Sequence, residues 1–261
     1  MEGIEFQTPG LDEQERKMGE RDLLSLAIPF YNEEENAERC IADHIVALNE
    51  AGIDFEIIAV DNGSTDATGR ILDPLKSERV RVLHVRKNIG YGNGIMQGWT
   101  VARGTYLGFT GGDNEVPASS VVRVFQEMRN NGLDLCKGKR VSRGYGPFRR
   151  IESFVYNVLF CRLLLGYKHG DINGYPKILR KDLYQAIKVH ALGPFFDTEL
   201  MLRAIGRGAR IGSVPVEYKK REKGKSTVSL YVALFFVTAL IGFELRRLLR
   251  GDSSRTGPDS L

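Results

Sequence analysis

The sequence predicts an α/β fold built on a mostly parallel sheet with helices on both faces, and three observations carry that expectation. Apolar runs at residues 23–30, 55–60, 80–85 and 105–110 read as strands, each parted from the next by a segment of helical pattern. The run at 55–60 is close to continuously apolar, as parallel strands covered on both faces tend to be. Strand, helix, strand, helix at this rhythm needs crossovers, and helical crossovers join parallel strands. The polar turns after the strands then meet at the carboxyl ends of the sheet, where open α/β sheets bind ligands.

Taken in order, the first strand stops near Pro29 and opens into Tyr31-Asn32-Glu33-Glu34-Glu35. Asn32 reads as an N-cap with acidic residues in the first turn, so a helix is expected to about residue 51. The second strand ends at Asp61-Asn62-Gly63-Ser64-Thr65-Asp66, a turn before a helix to about residue 75, with Asp66 as its cap. After the third strand, Gly90-Tyr91-Gly92-Asn93-Gly94 leads into a helix to about residue 103. The fourth strand ends at Gly111-Gly112-Asp113-Asn114-Glu115-Val116-Pro117, with a helix over 118–128 behind it. Beyond residue 129 the pattern loosens. It offers a short strand at 133–138, an apolar helix at 150–165, a helix at 196–205, and a strand at 211–218 that Pro215 moves toward an edge.

At 261 residues the chain suits one large domain with tails. Residues 1–21 are charged, without the apolar core of a secretory signal, and are expected to be disordered. Residues 22–227 form the domain, 228–250 an apolar helix, and 251–261 a second disordered tail. The net charge of +4 gathers at Lys219-Lys220-Arg221-Glu222-Lys223-Gly224-Lys225 and at Arg246, Arg247 and Arg250. Those clusters suit a phosphate-bearing ligand or an anionic membrane surface; without interleaved aromatic residues they do not make a nucleic-acid platform. Cys40, Cys136 and Cys161 are odd in number and widely spaced, which argues for a reducing compartment and against a disulfide framework. His44, His84, His169 and His190 are equally scattered, so no zinc site is expected.

Asp113 and Glu115 place two carboxylates just past a buried strand, a pair able to hold a hard divalent cation and through it a diphosphate. A polar turn capping the next helix is the plainer alternative.

Eight segments in a fixed order resemble a family 2 glycosyltransferase of the GT-A fold, and most closely its polyprenol-phosphate (dolichol-phosphate mannose synthase-like) group. They are Ile28-Pro-Phe-Tyr-Asn-Glu33, Val60-Asp-Asn-Gly-Ser-Thr-Asp66, Lys87-Asn-Ile-Gly-Tyr-Gly-Asn-Gly94 and Gly111-Gly-Asp-Asn-Glu115. Gly138-Lys-Arg140, Asp171-Ile-Asn-Gly174, Phe195-Phe-Asp-Thr-Glu199 and Arg221-Glu-Lys-Gly-Lys-Ser226 complete the set, so the resemblance spans about residues 23–229. It implies a Rossmann-like sheet and an inverting transfer from a UDP- or GDP-linked sugar, with Mg²⁺ or Mn²⁺, to a polyprenyl phosphate at the cytoplasmic membrane face. Pro29, Tyr31, Glu33, Asp61, Asn62, Gly90 and Asp113 would then form the nucleotide pocket. Asp113 and Glu115 would hold the metal, while Arg140, Arg221, Lys223, Lys225 and Ser226 would face the acceptor phosphate or the diphosphate. Asp113, Arg221 and the acidic Asp197 and Glu199 would be the catalytic group; the last two are bases if the acceptor is a hydroxyl, and otherwise orient it.

The chain departs from that family pattern at several places. Asn62 stands where a second Asp is usual, Gly111 where the first Asp of the metal motif is usual, and Glu115 at its Gln. Lys225 and Thr227 replace a Glu and a Lys common in relatives. Two rivals follow: transfer to a saccharide or metabolite hydroxyl, and a catalytically inactive sugar-nucleotide-binding protein. The run at 228–243 is apolar all round and shorter than a comfortable bilayer span. An interfacial anchor, a short spanning helix and a homo-oligomer contact compete for it, and the arginines behind it favour the membrane.

Overall fold

The computed structural model describes residues 22–141, 171–193 and 195–218, and the elements below lie within them. Four strand–helix units come first: β1 (Leu24–Phe30), α1 (Ala37–Glu50), β2 (Phe55–Asp61), α2 (Thr68–Leu72), β3 (Val80–His84), α3 (Tyr91–Thr100), β4 (Tyr106–Phe109) and α4 (Ser119–Asn130). A 3-10 turn, Asp73–Leu75, extends α2. Then come β5 (Leu135–Val141), β6 (Lys177–Arg180), α5 (Lys181–Ile187), α6 (Phe196–Gly206) and β7 (Ile211–Glu217). The strands make one mixed sheet in the order β3-β2-β1-β4-β6-β5-β7. Six run parallel, and β6 alone opposes its neighbours β4 and β5.

Alternate residues of the strands feed two cores. Leu24, Leu26, Ile28 and Phe30 of β1 pack with Ile41 of α1 and Val121, Val124 and Phe125 of α4 on one face. Ala27, Ile58 and Val60 pack with Ile95 and Trp99 of α3 and Phe196, Leu200 and Met201 of α6 on the other. Every residue of β2 is buried, which is the continuous burial expected of a central parallel strand. Pro215 lies in β7 at the sheet edge, as its missing N–H requires. Cys40 and Cys136 are buried free thiols.

Three sequence expectations change. The helix after β1 starts at Ala37 behind Asn36, not at Asn32, whose φ of 54° is left-handed and whose side chain turns to another loop. The strand over 133–138 begins later and runs on to Val141. The sequence reading also passed over β6 and α5. Lys-Ile-Leu-Arg is too short and too charged at its ends to register as an apolar run. The segments at 150–165 and 228–250 lie outside the described residues.

At the amino ends of the strands, Glu56 is almost fully buried and accepts bonds from Ser25 Oγ (2.6 Å), Arg103 N (2.6 Å) and Arg103 Nε (2.9 Å). Gly104 N donates to Ser25 Oγ at 2.8 Å, so the network ties β1, β2 and the entry to β4. Burial pushes the Glu56 carboxyl up, and the bonds from Ser25 and Arg103 outweigh it and hold the group below its usual range. A depressed folded pKa adds stability above the unfolded value of 4.5, lost as pH falls through the folded value. Glu56→Gln is therefore expected to cost about 2 kcal/mol at neutral pH. Urea unfolding should show that gap closing below pH 4.5.

Candidate active site

The loops after β1 and β2 are laced together at the carboxyl end of the sheet. Asn32 N donates to Ser64 Oγ at 3.1 Å, and Asn32 Oδ1 accepts from Thr65 N at 2.8 Å. Glu33 N donates to Thr68 Oγ1 at 2.9 Å, and Ala67 N to Glu34 Oε2 at 2.8 Å. Asp66, expected as the cap of α2, lies one residue before it: the N-cap is Ala67, without a side-chain cap bond. Asp66 Oδ1 instead takes Thr68 N at 2.9 Å, and its Oδ2 takes Glu34 N at 3.3 Å. Phe30 is the register partner of Asp61 and accepts from Asn62 N at 2.8 Å, so the loop bearing Glu33 and the 44% exposed Tyr31 starts beside Asp61 and Asn62 at the end of β2.

Asp61 ends β2 with Oδ1 accepting from Ser64 N at 3.0 Å and Oδ2 lying 3.0 Å from His84 Nδ1. Asn62 is 2% exposed and gives Nδ2 to Asn88 Oδ1 (3.3 Å) and Gly90 O (3.2 Å). Gly90 N also donates to Asn88 Oδ1, which fixes that atom as oxygen and the Asn62 atom facing it as nitrogen. An Asp at position 62 could not make either bond as an ionised acceptor. The amide thus clamps the loop before α3. Gly90 has φ 124°, and a Cβ there would meet Leu192 O at 2.3 Å, so glycine is required.

The loop after β4 carries Asp113 and Glu115, both partly buried, and Asp113 Oδ1 accepts from Glu115 N at 3.2 Å. Asn114 between them has φ 57°, a left-handed turn. A Cβ built on Gly111 would lie 3.0 Å from Asp113 Oδ1 and 3.4 Å from the Tyr175 ring. A side chain at position 111 would therefore emerge beside the Asp113 carboxylate and the Tyr175 ring. Among the described residues no three His, Cys, Asp or Glu side chains gather as a metal cage. Asp113 and Glu115 still offer oxygen atoms only, a donor set that suits a hard cation sharing its other positions with phosphate and water.

β6 brings the third group. Because it opposes β4, its first residue, Lys177, stands across from Phe109 at the functional end of the sheet. Lys137 of β5 is its register partner on the other side. Both lysines are fully buried. Lys137 Nζ donates to Asp171 O at 2.9 Å, and burial pushes its ammonium down to about 8. Lys177 donates to Asp197 Oδ1, and Tyr91 OH donates to Asp197 Oδ2. Burial drives the Asp197 carboxyl up and the Lys177 ammonium down. Glu199 is also buried and accepts from His190 N (3.0 Å), Ala191 N (2.6 Å) and Arg203 Nε (2.7 Å). It ties the loop before α6 to the helix. Arg140 forms a forked pair with Asp171, Nη2 to Oδ1 at 2.9 Å and Nε to Oδ2 at 3.1 Å, with 35% of its side chain exposed.

The structure therefore gathers Pro29, Tyr31, Glu33, Asp61, Asn62 and Gly90 on one side, and Arg140, Asp197 and Glu199 on the β6 side. Asp113 and Glu115 follow β4 between them. Arg221, Lys223, Lys225 and Ser226 lie outside the described residues. Sequence reasoning passed over Tyr91, Lys137, Tyr175 and Lys177. The one available signal was a lysine inside an apolar run, Leu135-Cys136-Lys137 and Lys177-Ile178-Leu179.

Comparisons with known proteins bear on family and fold. The family model described as glycosyl transferase family 2 matches residues 25–188. The dodecaprenyl-phosphate galacturonate synthase of Rhizobium johnstonii is 28% identical over 78% of this chain, and the match spans 61% of that protein. The polyprenol monophosphomannose synthase of Mycolicibacterium smegmatis is 29% identical over 77% of this chain and 79% of that protein. The fold is shared with glucosyl-3-phosphoglycerate synthase of Mycobacterium tuberculosis, solved with Mn²⁺, UDP and phosphoglyceric acid, at a TM-score of 0.64 and 20% identity. That alignment covers 98% of this chain and 88% of the other.

Lys177→Met leaves Asp197 buried without its cation and is expected to cost about 3–5 kcal/mol in urea unfolding. The double change Lys177→Met with Asp197→Leu should recover much of that loss, because no lone charge remains inside.

Proposed function

The chain belongs to glycosyl transferase family 2, and from that premise we propose that it moves a sugar from a UDP- or GDP-linked donor to a polyprenyl phosphate, with inversion. One observation carries the acceptor assignment. Asp197, where a base would be sought, has both carboxylate oxygens engaged by Lys177 and Tyr91, and Glu199 is held by three donors. Both α6 carboxylates are thus engaged with protein donors, which favours an acceptor that brings its own charge. A lipid phosphate arrives ionised and needs no base. The relatives named for dodecaprenyl-phosphate and polyprenol substrates support the same acceptor class.

In this reading a phosphate oxygen of the acceptor attacks the anomeric carbon while the bond from that carbon to the diphosphate breaks. Tyr31, Glu33, Asp61 and the Asn62-clamped loop bind the nucleotide and orient the sugar. Asp113 and Glu115 would hold Mg²⁺ or Mn²⁺, which when bound neutralises charge on the diphosphate. Arg140 and, from the segment outside the described residues, Arg221, Lys223, Lys225 and Ser226 face the phosphates. Residues 228–243 supply the membrane contact at the cytoplasmic face.

Detergent-solubilised protein should convert one UDP- or GDP-sugar to a lipid-phosphate sugar in the presence of polyprenyl phosphate, and EDTA should stop it. Turnover only with a saccharide hydroxyl would sink the lipid assignment; donor binding without any turnover would make this an inactive family member. Asp113→Asn should cut turnover by about a hundredfold or more while leaving the unfolding curve in place. Truncation after residue 227 should abolish flotation with anionic liposomes, and retained binding would put the anchor elsewhere.

A further inference from the structure

The nucleotide side contains a titratable group that this chemistry leaves unused. His84 ends β3 and is the register partner of Asp61 at the end of β2. Its Nδ1 lies 3.0 Å from Asp61 Oδ2, and its Nε2 lies 3.1 Å from Asp73 Oδ1 in the 3-10 turn. A neutral imidazole carries one N–H, so making both bonds at once requires the imidazolium. The bond to Asp61, then that to Asp73, raises the ring above its ordinary pKa. Among the described residues, the charged groups acting on the ring are those two carboxylates, with Lys76 Nζ behind, 2.7 Å from Asp73 Oδ1. Asp61 keeps 12% of its side chain exposed and has two further neighbours. Ser64 N holds Oδ1 at 3.0 Å, and a Cβ on Gly69 of α2 would come within 2.6 Å of Oδ2.

We propose that His84 is a positioning residue for the donor: as an imidazolium it orients the Asp61 carboxylate in the nucleotide pocket and cancels its charge there. This rests on the reading of Asp61 as a nucleotide-pocket residue. The sign follows from charge. A nucleoside diphosphate is an anion, and the Asp61–His84–Asp73 group becomes one unit more negative when the ring loses its proton. The charge-assisted bond that steadies Asp61 weakens in the same step. Donor affinity therefore falls as pH rises through the pKa of His84.

Calorimetric binding of UDP-glucose and GDP-mannose with Mn²⁺, across about pH 6 to 8, tests this. Both donors keep a constant phosphate charge over that range. For whichever donor binds, affinity should weaken about three- to fivefold toward high pH, the difference between a charge-assisted and a neutral hydrogen bond. His84→Leu should sit near the weak limit with a flat profile. Asp73→Asn removes one of the ring's carboxylates on an exposed turn and leaves Asp61 in place. It should move the midpoint to lower pH, with an NMR titration of the His84 ring moving in step, and it stands even if His84→Leu does not fold. A flat wild-type profile, or an Asp73→Asn midpoint that stays put, overturns the role of His84 while leaving the donor assignment intact. Failure of both sugars to bind at any pH overturns the donor assignment for them, and this inference with it.

Discussion

The buried pair of Lys177 and Asp197 is the constraint on which the β6 side of the candidate site depends. Each charge would cost several kcal/mol to bring into the interior alone, so each is there because the other is. The pair ties the first residue of β6 to the first turn of α6, and Tyr91 extends the tie to the start of α3. Three elements far apart in sequence are thereby locked at one end of the sheet. The same bonds hold the Asp197 carboxylate in place at the start of α6.

The side formed by the loops after β1 and β2 is built differently, from segments that satisfy one another. Asn32, Glu33 and Glu34 exchange hydrogen bonds with Ser64, Thr65, Asp66, Ala67 and Thr68, so neither loop is ordered alone. Asn62 clamps the next loop through Asn88 and Gly90. The departure from a usual Asp is thus matched by neighbours that need a donor. A side chain at Gly111 would emerge beside the Asp113 carboxylate and the Tyr175 ring. Charge at the loop is carried instead by Asp113 and Glu115.

Much of this was legible beforehand. Runs such as Phe55–Asp61 announce buried parallel strands, because burial on both faces leaves no polar alternation to obscure them. The motifs around Asp61, Gly90, Asp113 and Asp197 also stand at strand or helix ends, where turn chemistry is local and readable. Asn32 misled for a physical reason. A side chain that can cap a helix can equally bond a neighbouring loop, and the local sequence is the same in both cases. β6 stayed hidden because four residues with charged ends carry no period.

By itself, then, the sequence determined the α/β class, the order of the first four strand–helix units, and the positions of the turns that bear the site. Those properties follow from hydrophobic period and turn residues within a few neighbours of one another. Only the tertiary structure decided that β6 enters antiparallel between β4 and β5, that Lys137 and Lys177 face each other in the interior, and that His84 bridges Asp61 and Asp73. A lysine or histidine is polar wherever it occurs. Whether it is solvated, buried against a carboxylate or shared between two depends on strands that meet only after the chain has folded.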